Sequence, residues 1–304
     1  MDIFTIILII LGLCVFEVIN SVDNAIINAE VLSTMQKKSR KWFLFVGMFF
    51  AVFVVRGMLP WLLIWISTPS IGPIGAFTSS LSASPVVLNS IQASSPVLLA
   101  GAATFLLFMF FHWLFIEPKK FLLPPEKFFQ SHFFFFFYAF VSLLLSIIVW
   151  FAIKNNSMIA FGAVIGATAF YVVEAVRRYA EYKAAKLDKR RVSDFGKIIY
   201  LEVLDASFSI DGVTGAFAFT LSVPLILIGN GIGALVVRKL TIQNMKAIHK
   251  YKYLKKGAMY SIFLLGIIML FQGFGYKIPE WLAPIATFAI VGHFYYKSRI
   301  DDKN

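Results

Sequence analysis

The stretch Leu201–Thr220, LEVLDASFSIDGVTGAFAFT, decides how this chain is read. It is apolar enough to cross a bilayer, yet it carries Glu202, Asp205 and Asp211. A carboxylate at the bilayer centre costs roughly 2.5–3.5 kcal/mol on the insertion scale, so three of them in one span must face a cavity, a partner or an ion. The surrounding chain sets the context: 59% of its 304 residues are hydrophobic and 14% charged, with a mean hydropathy of +0.80, which excludes an ordinary soluble domain and implies a polytopic membrane protein.

Apolar runs long enough to span a ~30 Å hydrocarbon core fall at 3–30, 42–66, 97–117, 133–153, 158–176, 198–222, 224–240, 258–274 and 281–296. The expectation is an all-α protein of about nine transmembrane helices. The net charge of +12 does not point to nucleic acid, because the basic residues stand in short blocks between apolar runs. The connections after the first, third, fifth, seventh and ninth runs hold 25 of the 28 Lys and Arg, and the opposite side holds only Lys154 and Lys277. By the positive-inside rule the N-terminus is then outside and the C-terminus cytoplasmic. The run Ile3–Phe16 lacks a basic leader and a small-residue cleavage site, so it reads as a retained first span. With one cysteine, Cys14, there is no disulfide framework or thiolate cluster.

The opening stretch has a counterpart. Glu17–Ile26 reads EVINSVDNAI and Asp205–Thr214 reads DASFSIDGVT, pairing Glu17 with Asp205, Ser21 with Ser209, and Asp23 with Asp211. Further on, AVFVVRGML holds Arg56 and GALVVRKLT holds Arg238 behind the same Val-Val. The charge bias sends the first span inward and the sixth outward, so the matched segments run in opposite directions, the mark of an inverted-topology repeat with a site near the midplane. The chain then divides into a first half, 1–176 (repeat about 3–117, extra spans about 133–176), a basic linker, 177–197, and a second half, 198–304 (repeat about 198–274, last span about 281–296).

On a straight helix Asp205 and Asp211 lie about 120° apart, as do Glu17 and Asp23, so convergence of each pair requires a broken or distorted helix. The candidate ligands are Glu17, Asn20, Asp23, Asn24 and Asn28 from one half and Glu202, Asp205, Ser209, Asp211 and Thr214 from the other. All offer oxygen, which suits hard divalent cations such as Mg, Ca or Mn. Arg56 is the best intramembrane counter-charge, Arg238 either joins it or snorkels to the cytoplasmic interface, and Glu174 pairs with Arg177 and Arg178 one turn on. His112, His132, His249 and His293 show no ligand spacing and read as structural. No catalytic signature is present, and the stretch Gly229–Gly233, GNGIG, fits close helix packing. The charge-free link 67–95 reads as an outside loop, partly re-entrant, and Phe133–Phe137 as a lipid-facing or interfacial run. The linker 177–197 anchors to anionic headgroups or docks a cytoplasmic partner.

At FEVINSVDNAIINAEVL (Phe16–Leu32) and Leu201–Thr220, with Arg56 and Arg238 as secondary matches, the chain resembles the TerC family of integral membrane proteins, in particular a branch catalogued as a domain of unknown function. The resemblance implies a bacterial-type inner-membrane protein of the larger LysE-like transporter group, associated with manganese export and metal homeostasis. It carries over Glu17, Asp23, Glu202, Asp205 and Asp211, with Asn24 beside the first Asp. The expected function is export of Mn or a similar divalent cation by alternating access, with the lipid bilayer and the metal ion as partners, a homo-oligomer or a cytoplasmic partner at the linker as further ones, and no prosthetic group. A non-transporting membrane scaffold is the alternative.

Overall fold

The computed structural model describes residues 2–21, 28, 31–47, 50, 57, 58, 61, 62, 65, 72–81, 85–119, 121–186, 193–243 and 252–301. Their regular structure is helical throughout, with no strand among them. In chain order the helices are α1 (Ile3–Asn20), α2 (Lys37–Trp42) followed by a π-helical turn (Phe43–Gly47), α3 (Gly72–Leu81), α4 (Pro85–Phe115), α5 (Pro124–Phe133) with a 3-10 turn (Phe134–Phe136), α6 (Phe137–Asn155), α7 (Ser157–Lys186), α8 (Asp194–Ala216), α9 (Val223–Gln243), α10 (Leu254–Gly273) and α11 (Leu282–Asp301).

Five stretches are long and apolar enough to cross a membrane: Ile3–Asn20, Ser95–Phe115, Pro124–Asn155, Ser157–Tyr179 and Leu254–Gly273, with a shorter apolar stretch at Val223–Val237. The protein is thus a multi-pass membrane protein. α8 falls outside that set because its acids dilute its hydropathy, yet it packs among the others.

α4 is apolar on every side, as a helix must be when neighbours surround it, and it forms the central pillar against α7, α10 and α6. Its contact with α7 is backbone to backbone: a Cβ at Gly101 would lie 2.9 Å from the Gly162 carbonyl, and one at Gly166 would collide with the Gly101 carbonyl. Small residues permit such approach where apolar lipid provides no hydrophobic drive between helices. Phe105, Phe108, Phe110, Trp113 and Phe115 fill the space around α4.

Contact registers give relative directions. Val97 meets Gly162 and Gly101 meets Gly166, so α4 and α7 run parallel. Leu107 meets Gly266 and Ala100 meets Gly273, so α10 runs antiparallel to α4. Gly257 meets Phe294 and Tyr253 bonds to Ser298 and Asp301, so α11 runs antiparallel to α10. α1 runs parallel to α9, through Leu13 at Gly229 and Glu17 at Gly233, and antiparallel to α8, through Phe16 at Gly215.

Three local expectations change. The link 67–95 contains α3 and the start of α4, because PVVLNSIQASSP continues helically into the apolar run without a strong breaker until the turn is already formed. Phe133–Phe136 are exposed as expected, but Phe137 is buried against His112 and Phe115 where the 3-10 turn gives way to α6. α7 passes through position 177 without interruption, so the first ten linker residues extend a spanning helix.

Candidate functional site

Glu17 lies where α1, α8 and α9 meet, fully buried. Two glycines make room for it. A Cβ at Gly212 of α8 would lie 3.0 Å from Glu17 Oε2 and 3.8 Å from Asn20 Nδ2, and one at Gly233 of α9 would lie 2.6 Å from Glu17 Cβ. The Ser21 hydroxyl donates to Glu17 Oε1. The close packing expected of GNGIG is present: Gly229 seats against Leu13 and Ile10, and Gly233 against Cys14 and Glu17.

α1 ends at Asn20, and the Ser21 amide turns back to the Glu17 carbonyl. Asp23, the partner of Glu17 in the first motif, lies outside the described residues. In the second motif α8 is a continuous α-helix from Asp194 to Ala216, held past Gly212 and Gly215, so the expected break between Asp205 and Asp211 is absent. Continuous intrahelical bonding outweighs the two glycines, because Gly lowers helix propensity by only about 1 kcal/mol and packing on Phe16 and Glu17 supports both turns. The acids of α8 consequently point to different neighbours.

Asp205 faces the first motif, where Asn28 Nδ2 donates to its Oδ1 at 2.9 Å. Further toward the start of α8, Lys197 Nζ reaches the Thr34 carbonyl at 3.1 Å and the Gln36 amide donates to Asp194 Oδ2 at 3.1 Å. Glu202 meets the backbone of Gly47 in the π-helical turn. The hydroxyls of Ser209 and Thr214 bond back to the carbonyls of Asp205 and Ile210, at 2.7 Å each.

Asp211 points the other way. Arg177 Nη2 of α7 donates to its Oδ2 at 2.8 Å, while Oδ1 has no hydrogen-bond partner among the described residues. Arg177 Nη1 also stands 3.9 Å from Glu174 Oε2. Glu174 Oε1 accepts from Arg178 Nε at 2.6 Å and lies 3.2 Å from His112 Nε2, itself 2.9 Å from Arg178 Nη2. That one imidazole nitrogen either donates to the carboxylate or accepts from the guanidinium, not both. Carboxylates and cations thus alternate from Asp211 to His112 across α8, α7 and α4.

The sequence places Glu174 correctly beside Arg177 and Arg178, but it offers no view of Arg177 as the partner of Asp211. The available signal was the absence of a breaker after Val176, which lets the span continue. Asn230 was also overlooked: it is buried in α9 one turn before Gly233, and neither side-chain polar atom has a hydrogen-bond partner among the described residues. Glu126 and Lys256 form a buried pair joining α5 to α10, with the Glu126 carboxylate also accepting from the Leu123 amide at 3.0 Å, the N3-to-N-cap half of a capping box. Asp23, Asn24 and Arg56 lie outside the described residues, as does the Arg238 side chain. Among the described residues no three His, Cys, Asp or Glu side chains are grouped as metal ligands.

The chain has relatives among known proteins. It is similar to the uncharacterized membrane protein YceF of Bacillus subtilis (strain 168), 29% identical over 102 residues, which covers 33% of this chain and 40% of that protein. The chain thus spans about two-fifths of the length of the curated relative it matches. No solved structure matches. A family model described as a protein of unknown function (DUF475) matches residues 22–304, from just before Asp23 through α11, and the chain belongs to that family.

Proposed function

We propose that this protein transports a hard divalent cation across the membrane, as an exporter of Mn2+ or a similar ion, by alternating access around an acidic site near the midplane. The observation that carries this reading is the Asn28–Asp205 hydrogen bond, which joins the two sequence motifs inside the helical bundle. Among the described residues, three contacts between the segments fall in antiparallel order, with Glu17 at Gly212, Asn28 at Asp205 and Thr34 at Lys197. Antiparallel crossing of two related segments supports the inverted repeat, and the basic-residue bias supports nine spans with the N-terminus outside and the C-terminus cytoplasmic.

In this mechanism Asp23, Asp205 and Asp211 are the principal ligands, Asp211 at a separate position along the ion path from Asp205 because the intact α8 turns the two apart, with Glu17 and Glu202 flanking them and Asn20, Asn24 and Asn28 supplying amide oxygens. Rocking of the two halves opens the site to either side in turn. The resemblance to TerC-like transporters of the bacterial inner membrane and the all-oxygen donor set favour Mn2+ over Zn2+ or Cu2+. A non-transporting scaffold is the second reading, and the charge-paired Asp211 favours it.

Purified protein in liposomes loaded with a Mn2+-quenched dye tests the proposal. Wild type is expected to conduct Mn2+, and Asp23→Asn and Asp205→Asn are each expected to lower flux at least tenfold. Absence of flux from folded wild type supports the scaffold. Undiminished flux in both variants removes the site assignment while leaving transport standing.

A further inference from the structure

The Arg177 guanidinium sits between two carboxylates, 2.8 Å from Asp211 and 3.9 Å from Glu174, on a helix that packs against both α8 and α4. Its side chain is 14% exposed and that of Asp211 is 5%. An arginine stays protonated at any accessible pH, so a buried one always requires an anionic partner. Asp211 presents one oxygen to the guanidinium and leaves Oδ1 without a hydrogen-bond partner among the described residues.

Resting on the reading of Asp211 as a cation ligand, we infer that Arg177 is an intramolecular competitor of the transported cation, exchanging its guanidinium from Asp211 to Glu174 when the cation binds. A divalent cation on Asp211 repels an adjacent guanidinium, and in a partly buried site that repulsion is little screened. Glu174 receives the displaced charge. It lies one turn back on the same helix, so rotation within the Arg177 side chain makes the exchange without moving α7. Glu174 is already held by Arg178 and His112, which orient its carboxylate. The exchange keeps Arg177 paired in both states and keeps Asp211 neutralised after the cation departs, which favours release.

The test is a double-mutant cycle on Mn2+ affinity, read as free Mn2+ by electron paramagnetic resonance with the full-length protein in lipid nanodiscs. Arg177→Gln is expected to tighten Mn2+ binding at least tenfold and to slow turnover in liposomes. Glu174→Gln is expected to weaken binding several-fold in the wild-type background. In the Arg177→Gln background the same change is expected to have less than half that effect, because no guanidinium remains to be received. Additive effects of the two substitutions, or unchanged affinity in Arg177→Gln, overturn the exchange.

Asp211→Asn separates the two levels. If it abolishes Mn2+ binding while the cycle is additive, Asp211 is a ligand and the exchange alone fails. If Mn2+ binds Asp211→Asn as it binds wild type, the site reading fails and the exchange with it. Should Arg177→Gln not fold, Arg177→Lys replaces it in the cycle. Its single ammonium is expected to reach Asp211 less well and to tighten Mn2+ binding, and an unchanged or weakened affinity overturns the exchange.

Discussion

Gly233 has no side chain because Glu17 occupies the space. A methyl group there would sit 2.6 Å from Glu17 Cβ and 2.8 Å from the Cys14 carbonyl. Overpacking of this kind costs about 1–3 kcal/mol, so Gly233→Ala is expected to lower the thermal midpoint of the purified protein by several degrees. Gly292, exposed on α11 with nothing within 4 Å of its would-be Cβ, is the control: Gly292→Ala is expected to leave the midpoint unchanged or to raise it, because Ala is the better helix former by about 1 kcal/mol. Equal midpoints for the two variants would contradict the α1/α9 contact. At this scale the sequence exposes the acids, because charge inside an apolar run stands out against composition. It does not expose their partners. Asp205 meets Asn28, 177 positions away, and Asp211 meets Arg177, 34 positions away, across helices whose rotation no local pattern encodes.

At the scale of the element, the helix that carries the second motif is intact across its acids. α1 ends at Asn20 with Ser21 as its C-cap, whereas α8 is packed along its length and keeps its bonds. The start of α8 is fixed by polar contacts outside the spanning segments. Ser193 Oγ accepts from the Gly196 amide at 3.2 Å, and Asp194 accepts hydrogen bonds from the Ser39 side chain and the Gln36 amide. The Ser39 bond, with the Gln36 amide, lowers the Asp194 carboxyl below the ordinary carboxylate value. A carboxyl whose folded pKa is depressed contributes stability that is present above its unfolded value, near 4, and lost as pH falls through the folded value. Hydrogen exchange is therefore expected to show residues 36–39 and 194–197 protected at neutral pH and opening below about pH 4. In Asp194→Asn the protection is expected to be weaker at neutral pH and insensitive to acid. An acid response unchanged by that substitution would assign the opening to other groups.

For the whole molecule, the proposed nine-span arrangement requires an odd number of crossings. With Cys14→Ser as background, single cysteines at Asp2 and Ile300, both exposed near the ends of the chain, are expected to react with a membrane-impermeant maleimide from opposite faces of the membrane. Labelling of both from one face would require an even number of crossings and would remove the nine-span arrangement. The basic blocks that set the expected orientation are short, and several border the spans directly. Arg177 shows the consequence: it is counted with a cytoplasmic linker by sequence, yet α7 carries it to Asp211 inside the bundle.

By itself the sequence determined that the chain is helical and membrane-embedded, and that two acid-bearing motifs resemble each other in it. Those properties follow from hydropathy and charge summed over some twenty residues, which the bilayer reads directly. Only the tertiary structure decided that Glu17 is enclosed by Gly212 and Gly233, that Asp205 is bridged to Asn28, and that Asp211 is held by Arg177. The physical reason is that residue spacing sets the angle of a side chain about its own helix, while its partner is chosen by how closely neighbouring helices approach and how each is rotated.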